Sequence, residues 1–302
     1  MSTALLLGRW VALMGAVAGL SGPAWAMPLP ADPLERECWL SKTRERTRVN
    51  LREPTGVDFS NLRRGMPLRS PFQVDFAVRG MGVVPAGKPL DGAGHHHILI
   101  NTPLPLDVRA KIPFSDTHQH FGKGQTGTTL DLPPGRHTLR LLFADHEHRP
   151  YFVFSPEVEV VVTGPRTADP LPIRRASFEA DCEAWYADEL ARPRPPGEFV
   201  SLLNVRNGEP VVSPLNLRFD VEGFGVCAAG QTADRTGFFV LEVRQAGQLV
   251  GTTELSDGAT QTNLWLTPGP YRLQLRFVDG QTRRALLPPS ETDVLVTAME
   301  RL

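Results

Sequence analysis

Pro67–Gly87 reads PLRSPFQVDFAVRGMGVVPAG, and Pro210–Gly230 reads PVVSPLNLRFDVEGFGVCAAG. Ten of the 21 positions are identical without a gap, so the chain carries an internal duplication. A second block repeats in the same order. Gly122–Pro150 set over Ser256–Arg284 gives 12 identities in 29, among them Leu130/Leu264, Pro134/Pro268, Gly135/Gly269, Phe143/Phe277 and Asp145/Asp279. The offset falls from 143 to 134 between the blocks, so the first copy holds nine extra residues there.

The repeated stretch also sets the fold class. Phe72, Val74, Phe76 and Val78 alternate with Gln73, Asp75, Ala77 and Arg79, which predicts a half-buried strand. Leu215, Leu217, Phe219 and Val221 repeat the alternation. Leu130–Leu132, the turn Pro133-Pro134-Gly135 and His137–Phe143 read as a hairpin, matched by Leu264–Leu266, Pro268-Gly269 and Tyr271–Phe277. Short strands with frequent turns over 100–120 residues predict, in each copy, an immunoglobulin-like β-sandwich. The fold class is therefore all-β, with two tandem immunoglobulin-like β-sandwich domains; a small barrel is the rival architecture. Phe178–Ala191 is the one short helix the pattern supports.

The ends and the middle complete the layout. Arg9, the apolar run Trp10–Leu20 and Ala24-Trp25-Ala26 form a signal-peptide pattern, cleaved after Ala26. That predicts a periplasmic or secreted protein with no membrane span in the mature chain. The expected organisation is a signal peptide over 1–26, a His-rich sandwich over 27–164, a Pro-rich linker over 165–198 and a second, His-free sandwich over 199–302. Formal charge is −1, so no basic field is available for nucleic acid. Export permits a disulfide. Of Cys38, Cys182 and Cys227, Cys38–Cys182 as an inter-domain bridge and Cys182–Cys227 both remain open, and no spacing suits a thiolate zinc site.

All eight histidines lie between His95 and His148. They form three His-x-His pairs: His95/His97, His118/His120 and His146/His148. Alternate residues of a strand share a face, so such a pair can present two imidazoles to one ion. These six are the candidate metal ligands. His96 would point the other way with Ile98 and Ile100, and His137 reads as a packing residue. His118 and His120 fall near the nine extra residues and are expected on a loop; His146 and His148 are expected at a strand end or turn. The second copy has Phe238, Phe239 and Val240 in place of the triplet, so the scaffold does not need the imidazoles. Asp145 persists there as Asp279 and reads as a turn former. An imidazole-rich site suits copper or zinc.

Gly80-Met81-Gly82-Val83, Gly94-His95-His96-His97, His120-Phe121-Gly122-Lys123-Gly124-Gln125-Thr126, Leu132-Pro133-Pro134-Gly135-Arg136-His137-Thr138-Leu139 and Asp145-His146-Glu147-His148 together resemble the bacterial exported "domain of unknown function 4399" family. The resemblance covers Val49–Thr163 with the full motif set and the second copy as scaffold only. It implies a small secreted β-domain and no established activity.

Three functions follow as expectations. The leading one is non-enzymatic binding of a copper or zinc ion by the first domain. The second is a superoxide-dismutase-like metalloenzyme. The third is a tandem-sandwich adhesion module for an envelope protein or glycan, with Phe238, Phe239, Trp265 and Tyr271 as its platform. No nucleophile elbow or Walker loop occurs, and Gly122–Thr126 reads as a turn.

Overall fold

The computed structural model describes residues 26–50 and 55–298. Of the signal-peptide pattern over 1–26, residues 1–25 lie outside these residues. No helix among them is long and apolar enough to cross a membrane.

Helices α1 (Pro33–Ser41) and α2 (Thr43–Arg46) precede the first sandwich. Asp32 starts α1: its Oδ1 accepts from Leu34 N at 2.8 Å and Glu35 N at 3.0 Å, and Pro33 occupies the first helical position. The first sandwich comprises β1 (Gly56–Phe59), β2 (Met66–Ser70), β3 (Phe72–Arg79), β4 (Gly82–Val83), β5 (Ala93–Ile100), β6 (His118–Phe121), β7 (Gly127–Leu130), β8 (Gly135–Ala144), β9 (Pro150–Phe154) and β10 (Val158–Pro165). Helix α3 (Phe178–Leu190) follows. The second sandwich comprises β11 (Phe199–Leu202), β12 (Glu209–Val212), β13 (Leu215–Glu222), β14 (Gly225–Val226), β15 (Thr236–Gln245), β16 (Gln248–Glu254), β17 (Gln261–Leu264), β18 (Gly269–Asp279) and β19 (Ser290–Thr297).

Both copies build the same two sheets. In the first, β1-β3-β7 faces β2-β10-β8-β5-β4, with β6 added on β5 and β9 on β8. In the second, β11-β13-β17 faces β12-β19-β18-β15-β14, with β16 added on β15. The duplication read from the sequence is thus a duplication of topology. The core follows the alternation: Phe72, Val74, Phe76 and Val78 are buried, as are Leu215, Leu217, Phe219 and Val221. At the centre of the second sandwich Phe239 packs on Phe219 and Phe277, with centroids 5.5 and 5.2 Å away. The first sandwich has Phe76 and Phe143 around His96 at 5.0 and 4.9 Å. His96 therefore fills an aromatic core position, as its strand parity predicts.

The strand β3 is buried on both faces, not one. Gln73, Asp75 and Ala77 are each under a tenth exposed. Their face is covered at the junction of the two copies. Gln73 N donates to Ala191 O at the end of α3, and Asp75 is paired with Arg194. The second copy mirrors this, with Asn216 N donating to Thr47 O just after α2. Asn61 links β3 to α3, donating to Gln73 O and Leu190 O. Its counterpart Asn204 donates to Asn216 O and Arg46 O. Each helical segment thus packs on the sandwich that it does not directly precede, as in a dimer with exchanged arms.

The segment between the copies is accordingly a packed element. Asp188 on α3 pairs with Arg69 and Arg166 of the first copy, and Arg194 bridges Asp75 and Asp220 across the two copies. Cys38 on α1 is disulfide-bonded to Cys182 on α3, with Cα atoms 5.5 Å apart, and Cys227 is a buried free thiol. Of the two pairings open in the sequence, the structure has the first. The proposed aromatic platform is mostly core: Phe238 and Phe239 are fully buried and Tyr271 nearly so, leaving Trp265 exposed.

Candidate metal centre

The strand β5 lies between β8 and β6. Its register sets His95 opposite Ala144 and His97 opposite Leu142 on one side, and His97 opposite His120 on the other. His95 and His97 share the outer face of the large sheet, while Ile98 and Ile100 join His96 in the core. His148 arrives from the turn after β8. Asp145 shapes that turn by accepting from Glu147 N and Arg149 N, both at 2.8 Å. Asp279 accepts from Gln281 N and Thr282 N in the second copy, so this aspartate forms a turn in both, as expected.

Four imidazoles converge. One ring nitrogen from each of His95, His97, His120 and His148 can be chosen so that all lie within 4.8 Å of one another. His95 Nε2 stands 3.1 Å from His97 Nε2 and 3.1 Å from His148 Nδ1. Ligands on a tetrahedral ion at ~2.0–2.1 Å are about 3.3 Å apart, so the spacing fits one ion. The His120 ring centroid is 4.9, 5.0 and 4.7 Å from those of His95, His97 and His148. His95 and His97 are fully buried. Burial, reinforced by the neighbouring imidazoles, pushes their pKa values down to about 3 and about 2. Burial also lowers those of His120 and His148, with His148 adding to the effect on His120 and Lys111 to that on His148. The four rings are thus neutral at physiological pH, the form in which imidazole binds metal.

Of the six ligands read from the sequence, His118 and His146 stand outside this cluster. The His118 ring stands against Ser115 and Thr117, with Nδ1 3.2 and 3.1 Å from their hydroxyl oxygens. His118 and His120 belong to a strand and not to a loop. The ladder sets His120 opposite His97 and His118 opposite Leu99, so His118 shares the face but stands about 6.6 Å further along the strand. His137 is buried on β8 opposite Val160, donating from Nε2 to Pro133 O at 2.8 Å.

The nine extra residues are found just before β6. Seventeen residues join Ile100 to His118, where eight join the equivalent Val243 to Thr252. This longer loop covers the outer face: Ile112 packs with Leu99, Leu142 and Ala144, and Ile112 N donates to His148 O at 2.9 Å. Its Phe114 ring lies 4.7 Å from His120, 5.1 Å from His148 and 6.3 Å from His97.

A family described as "Domain of unknown function (DUF4399)" matches residues 74–163 and 217–297. The chain belongs to the DUF4399 family. Both DUF4399 copies match, although only the first has the histidines. No curated protein matches the chain. Among solved structures, the fibronectin(III)-like modules of Clostridium thermocellum CbhA align at 9% identity over 82% of this chain and 97% of theirs, with a TM-score of 0.23. Latent PorU from Porphyromonas gingivalis aligns at 11% identity and TM-score 0.28, over 83% of this chain but only 21% of its own. A two-domain fibronectin type-III segment of chicken tenascin aligns at 10% identity over 80% of this chain and 98% of its own, with a TM-score of 0.20. At such scores the sandwich assignment rests on the strand order itself.

The second DUF4399 copy shows what the same positions hold without the imidazoles. Phe238 replaces His95 and Val240 replaces His97. Glu254, opposite Val240 on β16, replaces His120. The turn after β18 is one residue longer, since Asp279 N donates to Arg284 O where Asp145 N donates to Arg149 O. That places Arg283, paired with Glu254 and 5.5 Å from the Phe238 ring, at the His148 position rather than Thr282. The two features that sequence reasoning missed are Phe114 and Gly122. A Cβ on Gly122 would stand 2.2 Å from the His120 ring. Ser256 occupies that place in the copy without the ring, and that difference was the available signal.

Proposed function

We propose that the first sandwich binds one transition-metal ion, copper or zinc, through His95, His97, His120 and His148. The observation that carries this is the convergence of four neutral imidazoles from β5, β6 and the turn after β8, with nitrogen pairs at 3.1 Å. All-imidazole donors suit Cu²⁺ and Zn²⁺. Phe114 packs over three of the rings, which favours retention of an ion over exchange of ligands on it. The reading is therefore of a metal-binding protein without turnover, acting as a carrier or buffer. The Cys38–Cys182 disulfide agrees with an exported, oxidising location.

Elemental analysis of the untagged protein from its native exported fraction tests this. Stoichiometric copper or zinc is expected, with one site per chain on titrating the metal-free protein. No stoichiometric transition metal in the native protein, together with no saturable site on titration, overturns it.

A further inference from the structure

A second site lies where the copies and their helices meet. A cavity of about 340 Å³ opens between α2, α3, the turn after β1 and strand β13. Six arginines line it against three carboxylates, Glu45, Asp75 and Glu189. Trp39 carries one guanidinium on each face, with Arg46 Cζ 3.6 Å and Arg206 Cζ 3.7 Å from its ring centroid.

Most of this charge is internally paired. Arg46 binds Glu209, Arg63 binds Glu45, Arg192 and Arg206 bind Glu189, and Arg194 binds Asp75. The remainder is not. Arg218 has no carboxylate within 4.0 Å among the described residues; its guanidinium donates only to Ser60 O, at 3.0 Å. Arg206 Nε is buried without an acceptor. The Tyr186 hydroxyl, on a side chain 1% exposed, lies beside Arg46, which can only donate, and finds no acceptor of its own. Two donors around one cavity thus lack acceptors, Arg206 Nε and the Tyr186 hydroxyl, and a third group, the Arg218 guanidinium, has a carbonyl but no carboxylate to answer its charge.

Guanidinium groups recognise carboxylate and phosphate through paired N–H donors. Leu190, Leu203 and Pro193 supply apolar wall, and the volume falls in the range of small-molecule sites. Exposed Glu45 and Pro195 at the rim leave the cavity open to solvent. We propose that this junction cavity binds a small organic anion bearing carboxylate or phosphate groups, held by Arg218, Arg206 and the Tyr186 hydroxyl. The site is separate from the histidine cluster and does not depend on the metal reading.

Calorimetric titration of the metal-free, disulfide-bonded protein with citrate, glycerol 3-phosphate and inorganic phosphate tests it. Saturable 1:1 binding of at least one organic anion is expected, with a Kd on the order of 10–100 μM. Arg218→Met should weaken it about tenfold or more, the scale of one lost charge-assisted contact. Tyr186→Phe, which removes one oxygen and keeps the packing, should weaken it severalfold. The citrate and glycerol 3-phosphate arms tell carboxylate from phosphate ligands. The proposal fails if no organic anion saturates by about 10 mM. It also fails if inorganic phosphate binds as tightly as the organic anions, or if folded Arg218→Met and Tyr186→Phe bind like the parent.

Discussion

His95 Nε2 and His97 Nε2 lie 3.1 Å apart on one face of β5. Two neutral imidazoles at that distance either share one proton or share one ion. The choice is measurable. Removing both rings with His95→Ala/His97→Ala should abolish saturable Zn²⁺ or Cu²⁺ binding. His118→Ala and His146→Ala should leave the affinity within about threefold, because deleting a ligand or its direct support typically costs 10–100-fold. Equal losses from all three variants would sink the four-histidine assignment.

Acid should destabilise the metal-free protein steeply. His95 and His96 have pKa values near 3 and His97 near 2 in the fold, chiefly through burial, against 6.5 unfolded. Above pH 6.5 neither state binds these protons and the stability is fully present. Below it the unfolded chain takes up protons that the folded chain refuses, so stability falls with pH until about pH 3. Each histidine contributes a slope of about 1.4 kcal/mol per pH unit, so the three together approach about 4. His96→Phe installs the residue that the second copy has as Phe239 and should flatten the slope by about a third. Urea melts at pH 7, 6 and 5 measure this; an unchanged slope would place His96 in a solvated environment.

Most of the scaffold was legible because duplication and period-two alternation are local signals. The parity that sent His95 and His97 outward and His96 inward came from the same source. What stayed hidden was set by partners distant in sequence. Gln73 and Asp75 are polar yet buried, because α3 and Arg194 cover them from another part of the chain. His118 matched the spacing of a ligand, but the ladder sets His120 opposite His97 and His118 opposite Leu99, where its ring meets Ser115 and Thr117 instead. The gapless alignment set His148 over Thr282, and only the longer second turn shows that Arg283 takes its place.

Gly122 should be essential to the site and dispensable for the fold. An added Cβ would sit 2.2 Å from the His120 ring, and a ring hemmed in by Phe114 and the other three imidazoles has little room to yield. Gly122→Ser copies Ser256 of the second sandwich, so its backbone accepts a side chain. The expected result is a 10–100-fold loss of metal affinity, the scale of a disturbed ligand support, with the melting temperature of the metal-free protein nearly unchanged. Unaltered affinity would show that His120 moves freely or does not bind the ion.

The copies also meet through a reciprocal pair of glycine contacts. Val83 N donates to Gly258 O at 2.9 Å, and Val226 N donates to Gly124 O at 2.7 Å. A Cβ on Gly82 would lie 1.8 Å from Asp257 O, and one on Gly225 would lie 1.7 Å from Lys123 O. The contacts are equivalent in packing but not in what lies behind them. Lys123 follows Gly122 in the turn that confines His120, whereas Asp257 belongs to the copy without imidazoles. Gly82→Ala and Gly225→Ala should each cost about 1–3 kcal/mol through overpacking and loosen the junction in small-angle scattering. Only Gly225→Ala should also weaken metal binding, because it pushes on the His120 turn. Equal metal affinity in the two variants, with equal destabilisation, would show that the interface and the histidine cluster are mechanically independent.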